Sequence, residues 1–110
     1  WMTFSFYVPR EGDAGPDAWA TNEERAAAVR EVLRLKAKYP GFIRNTTRSL
    51  ELMLPPHAER VTAACPARDA VLPLYLEDDH FTTPFCCYGN DVDCARCGAW
   101  IVFHLAARME

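Results

Sequence analysis

No stretch of this sequence stays apolar for long enough to cross a bilayer. Its longest apolar run, residues 99–103, falls far short of the ~20 residues that a spanning helix needs. The start, Trp1-Met2-Thr3-Phe4-Ser5-Phe6-Tyr7-Val8-Pro9, has neither the basic lead nor the apolar stretch of a secretion signal. Positive charge is not in surplus. Twelve Lys and Arg against fifteen Asp and Glu leave a formal net charge of −3, so no global field draws in nucleic acid or an anionic membrane. Arg25, Arg30, Arg34, Lys36 and Lys38 do cluster, but they alternate with Glu23, Glu24 and Glu31 as on a solvated helix face. A Ser-His-Asp set, a phosphate loop, a Gly-rich nucleotide fingerprint and any internal repeat are also missing. These absences lead us to expect a soluble, cytoplasmic protein that engages neither nucleic acid nor membrane.

What is present suits a globular fold. Half of the 110 residues are apolar and a quarter charged, enough for one small domain or a piece of a larger one. Trp1 already stands inside an expected strand, so we expect the chain to be a fragment of a longer polypeptide.

Residues 3–8 alternate and are rich in aromatic and β-branched types, which predicts a buried strand ended by Pro9. Residues 10–20 carry turn-formers and read as a loop anchored by Trp19. Thr21-Asn22-Glu23-Glu24 has the form of a capping box. It opens a helix over 22–38 whose core face is Ala26, Val29, Val32, Leu33 and Ala37, with Arg25, Arg30, Glu31 and Arg34 on the surface, and which Pro40-Gly41 stops. Residues 42–45 suit a short second strand. Thr46 or Thr47 can cap a short helix through Leu50, Leu52 and Met53, and a helical turn over 57–64 leads to Cys65. Beyond it, residues 71–76 and 81–85 flank a polar turn at 77–80 and predict a hairpin, which Pro73 and Pro84 confine to an edge. Residues 98–109 favour a helix, although Ile101-Val102-Phe103 also suits a strand.

Five cysteines carry the chemistry. An odd number without a secretion signal argues against a disulfide framework. Cys94-Ala95-Arg96-Cys97 puts two thiols on one tight turn, where both can face a single ion or cluster. Residues 88–93, with Gly89 and Asn90, can fold Cys87 back toward that pair. A hairpin returns its two ends to one place, so Cys65 before it can meet Cys86 or Cys87 after it. The sequence does not decide between Cys86 and Cys87; Cys87, which adjoins the turn, is favoured, with Cys86 then packing inward. Four thiolates suit a [4Fe-4S] cluster or a structural zinc ion. The competing readings are small buried hydrophobes and a redox dithiol at Cys94 and Cys97, the latter without the flanking pattern of a thioredoxin-like site.

The run Phe85-Cys86-Cys87-Tyr88-Gly89-Asn90-Asp91-Val92-Asp93-Cys94-Ala95-Arg96-Cys97-Gly98 resembles the C-terminal cysteine-rich region of some radical S-adenosylmethionine (SAM) enzymes. Upstream, residues 3–9, Glu24-Arg25, Leu35-Lys36, Tyr39-Pro40-Gly41-Phe42 and Asn45 are similar to the last strand–helix units of their partial (β/α) barrel. The resemblance implies an α+β chain in two parts. Residues 1–64 would end a parallel α/β barrel in the order strand, helix, strand, helix. Residues 65–110 would form a cysteine-flanked β-hairpin and a C-terminal helix. It also implies an auxiliary [4Fe-4S] cluster, in a SPASM or twitch arrangement, on Cys65, Cys87 (or Cys86), Cys94 and Cys97. The partners implied are the rest of the barrel and its substrate. The family's SAM-cleaving motif, Cys-x-x-x-Cys-x-x-Cys, is absent, as are the early barrel strands that bind SAM. SAM would therefore enter only through a part of the enzyme outside this sequence. The alternative is a small structural zinc-binding or partner-binding module with a four-cysteine site.

Other polar groups read more plainly. Glu77, Asp78, Asp79 and His80 suit an exposed hairpin tip, and Arg44 with Asn45 a polar strand end. His57 and His104 have no partner at ligand spacing, and suit a surface and a core position respectively. Trp19 and Trp100 read as packing residues.

Overall fold

The structure is a computed structural model that describes residues 1–14, 19–72, 74–82 and 91–110. Among the described residues five helices dominate: α1 (Asn22–Lys38), α2 (Thr47–Leu52), α3 (His57–Ala63), α4 (Ala67–Ala70) and α5 (Trp100–Arg108). One antiparallel pair, β1 (Tyr75–Glu77) with β2 (His80–Thr82), and a 3-10 turn, Cys94–Arg96, complete the order. The protein is thus α+β. Among the described residues no helix is long and apolar enough to cross a membrane.

Local chemistry explains α1. The Thr21 hydroxyl accepts the Glu24 N–H at 3.2 Å, and the Glu24 carboxylate reaches back to the Ala20 N–H at 3.0 Å. Glu23 and Glu24 in the first turn and Lys36 and Lys38 in the last complement the helix dipole. The chain leaves the helix through Tyr39 and reverses at Gly41, whose φ of 86° suits glycine best. Thr46 caps α2 by accepting the Ser49 N–H at 3.0 Å, and Ser49 Oγ donates back to the Thr46 carbonyl. The C-terminal segment is helical, as its length suggests. Val102 and Phe103 lie at the centre of the core with Val29, Val32, Ile43, Leu50, Leu52, Met53 and Ala58. In that core α2 packs against α1, α3 and α5, and α3 packs against the 3-10 turn.

Several expectations need correction. The expected buried strand at 3–8 is a half-buried extended segment, flanked by isolated bridges at Met2 and Arg10 and joined to its described neighbours between them by single hydrogen bonds. It pairs in parallel at Met2 with Ile43, where the Met2 N–H donates to Phe42 O and the Arg44 N–H to Met2 O. The ladder then stops because Asn45 turns into the α2 cap. The fully buried Asn45 side chain takes its place, accepting the Phe4 N–H at 2.8 Å and donating to Phe4 O at 2.9 Å. Further along, the same segment turns to the C-terminal region, through Phe6 N–H to Gly98 O and an antiparallel bridge between Arg10 and Val92. Phe4, Phe6 and Val8 still face inward while Thr3, Ser5 and Tyr7 face out, so the period-2 pattern holds without a full ladder.

The second correction concerns α1. Arg25, read as a surface residue, is only 2% exposed, whereas Ala37, read as core, is exposed. The buried stripe runs Asn22, Arg25, Ala26, Val29, Val32, with its first turn polar.

Among the described residues, the expected strand over 71–76 gives way to the shorter β1 at Tyr75–Glu77. Glu77 and His80 pair with each other, so the turn is Asp78-Asp79 alone. Both have positive φ, 48° and 63°, as a two-residue hairpin turn matched to strand twist requires. Residues 83–85 of the expected second strand, and Pro73, lie outside the described residues.

Candidate metal centre

The Cys-x-x-Cys segment is a single 3-10 turn held from three sides. Asp93 caps it, its Oδ1 accepting the Ala95 N–H at 3.1 Å, and the Cys97 N–H donates to Cys94 O at 3.1 Å. From α1, Asn22 Nδ2 donates to Ala95 O at 2.8 Å and Arg25 Nη1 to Arg96 O at 2.9 Å. Arg96, in the middle of the turn, then reaches outward. Its Nε pairs with Asp93 Oδ2 at 2.7 Å, Nη1 donates to the carbonyls of Trp19 at 2.8 Å and Asp13 at 3.2 Å, and Nη2 donates to that of Arg10 at 3.3 Å. One guanidinium thus ties the turn to the loop that precedes α1. Trp19 anchors that loop by meeting Phe6 edge-on, ring centroids 5.5 Å apart.

Gly98 closes the turn against the N-terminal segment. A Cβ at this position would stand 2.6 Å from Phe6 Cβ and 2.9 Å from Arg25 Nη1, so only glycine fits between them. Trp100 follows, its N–H donating to Ser5 Oγ at 3.1 Å and its ring stacked on His104 at 4.9 Å. His104 is accordingly half-buried against Trp100 rather than in the core.

Cys65 lies just past α3 and Cys97 just past the turn that packs on α3. They are 8% and 6% exposed, and both belong to the core that contains Val102 and Phe103. Cys94 is half-buried at the start of the turn. Cys86 and Cys87 lie outside the described residues. Among the described residues, no three His, Cys, Asp or Glu side chains gather closely enough to hold a metal ion. Cys65 and Cys97 therefore share one core with the turn beside them, while Cys94 does not join them in a three-sulfur set.

A buried charge stands beside the turn. Arg25 is a buried cation whose Nε has no hydrogen-bond partner among the described residues. Burial pulls its pKa below the ordinary arginine value, and the neighbouring Cys97 and Glu59 pull it back. Its Nη1 and Nη2 donate to the carbonyls of Arg96 and Met53, so backbone satisfies the cation in part. The three described cysteines do not complete a ligand set, and Cys86 or Cys87 would have to supply the rest.

The remaining candidates are peripheral. Glu77, Asp78, Asp79 and His80 sit exposed at the hairpin tip, with His80 Nδ1 3.0 Å from Asp78 O. His57 pairs with Arg60 at 2.8 Å, and Arg44 lies over the Trp1 ring at 5.3 Å. Sequence reasoning missed Asn22, Arg25, Asp93 and Arg96 as the supports of the turn. The available signal was spacing: Arg25 precedes Val29 by four positions and Val32 by seven, on one helix face. Compared with protein-family models, with curated proteins and with solved structures, the chain matches none.

Proposed function

We propose that this chain holds a metal centre on cysteine thiolates, with Cys65, Cys94, Cys97 and one of Cys86 and Cys87 as ligands. In the finer reading the centre is an auxiliary [4Fe-4S] cluster, and the chain is the C-terminal part of a radical SAM enzyme. The rest of the barrel would bind SAM and substrate. The observation that carries this reading is that Cys65 and Cys97, far apart in sequence, are buried in one core beside a braced Cys-x-x-Cys turn. Buried cysteine alone is common, because the thiol behaves as a small hydrophobe. The buried Arg25, bonded to the Arg96 carbonyl, adds a positive charge beside the turn that would favour thiolate over thiol there. Binding would draw Cys94 and the remaining thiol into the set, in the way that metal completes many small sites.

A structural zinc ion is the second reading. It is favoured by the tightness of the turn, in which the Cys97 N–H closes on Cys94 O, since Cys-x-x-Cys pairs of this kind supply zinc sites. Anaerobic reconstitution with iron and sulfide, followed by iron and sulfide analysis and a visible spectrum, separates the two. About four irons per chain with broad visible absorption support the cluster. Stoichiometric zinc without a chromophore supports the module. A colourless, metal-free protein overturns both.

A further inference from the structure

Two exposed surfaces of this chain are apolar at the centre and opposite in charge at the rim. The first is the face of the β1–β2 hairpin that carries Leu76 and its cross-strand partner Phe81. Leu74, two positions before Leu76, is exposed as well. The tip beside this face adds Glu77, Asp78 and Asp79, all exposed. Among the described residues no Lys, Arg or His stands within ion-pair distance of them. Glu77 accepts a long bond, 3.5 Å, from the Thr82 hydroxyl, which leaves its charge uncompensated.

The second surface lies where α1 ends. A shallow cleft of about 580 Å³ is lined there by Lys38, Tyr39, Pro40 and Phe42. The Phe42 N–H donates to Tyr39 O at 3.3 Å, which holds two half-exposed aromatic residues on one reversal. Lys38 Nζ lies 5.3 Å from the centre of the Tyr39 ring, and Arg44 over the ring of Trp1. Both cations are exposed, and neither has a carboxylate within ion-pair distance among the described residues.

Apolar side chains grouped in the open mark a contact surface, and the charge around them selects what can approach. Hairpin against hairpin would set carboxylates against carboxylates, and cleft against cleft cations against cations. Hairpin against cleft pairs opposite charges and fits a ridge to a hollow. Both surfaces are exposed within one chain, so neither covers the other there.

We propose that the acidic hairpin of one copy of this chain docks into the basic cleft of a second copy, head to tail. Leu76 and Phe81 meet Tyr39 and Phe42, while Glu77, Asp78 and Asp79 face Lys38 and Arg44. The contact is heterologous, since two different surfaces pair. It is also small, so association is weak and a dilute chain is a single copy. No cysteine takes part, and the inference stands apart from the metal-binding reading.

Sedimentation equilibrium on the full chain tests it, with reductant present to exclude disulfide-linked pairs. The weight-average mass should climb above that of one chain as concentration approaches about 1 mM, and fall back in about 0.5 M salt. Glu77→Lys/Asp78→Asn/Asp79→Asn strips the acidic rim, and asparagine tolerates the positive-φ turn. Lys38→Glu/Arg44→Glu reverses the basic rim. Each variant alone should associate at least about tenfold more weakly than wild type. An equal mixture of the two should recover association, because it restores one matched hairpin and cleft. A wild type that keeps one-chain mass up to about 1 mM overturns the proposal. So do variants that associate like wild type, or a mixture no heavier than its parts. Should either charge variant not fold, Phe81→Ser decides: a loss of more than about threefold supports the docking, and a smaller one overturns it.

Discussion

The Cys94–Arg96 turn and the β1–β2 hairpin are both short reversals in the C-terminal half, yet they are held by opposite means. The turn owes its position to side chains: Asn22, Arg25, Asp93 and Arg96 supply its bonds, and Cys97, which follows it, is buried. The hairpin owes its shape to its own backbone ladder and to two aspartates at positive φ. Its cross-strand apolar pair, Leu76 and Phe81, is 67% and 68% exposed. A reversal built on distant side chains is fixed relative to the core. One built on its own ladder keeps its shape without being placed by the core. Chemistry that needs atoms held in register belongs on the first kind.

That contrast can be broken by substitution. The largest effect is expected at Arg96. Arg96→Ala removes an ion pair and three carbonyl contacts from a mostly buried side chain, and should cost about 3 kcal/mol of unfolding free energy in urea denaturation. A loss under about 1 kcal/mol would mean that the turn is held by packing alone. Gly98→Ala comes next. The new methyl would meet Phe6 Cβ, which sits on backbone and cannot swing away, so about 2 kcal/mol of overpacking is expected. The smallest effect is expected on the hairpin: Leu76→Thr should change stability by no more than about 0.5 kcal/mol. A substantially larger loss there would show that the exposed apolar face is covered in solution, and the contrast between the two reversals would narrow.

Much of the helical architecture was legible in advance because its signals are local. The Thr21–Glu24 box and Pro40-Gly41 bracket α1 at its observed ends, and Thr46 caps α2 as a hydroxyl before a short apolar run should. The hairpin was legible in kind, but its two-residue turn was not. Glu77 and His80 look like turn residues by composition and are paired strand residues by register. Of the candidate site, the turn at Cys94 and Cys97 was visible as a motif and its supports were not. Arg96 read as the filler of a Cys-x-x-Cys spacer, although it carries the bonds to Arg10, Asp13 and Trp19. Those acceptors are main-chain carbonyls, which leave no mark in the identity of the residues that bear them.

By itself, the amino-acid order determined where α1 starts and stops and where α2 begins, which residues alternate along 3–8, and which thiols share a turn. These depend on neighbours within a few positions, where capping, propensity and side-chain period act. Only the tertiary structure decided that Arg25 is buried, that the extended N-terminal segment pairs with Ile43 at one end and Val92 at the other, and that Cys65 and Cys97 share a core. The reason is that burial and pairing are properties of what arrives opposite a residue, and Arg25 enters the interior where the distant carbonyls of Arg96 and Met53 converge on it.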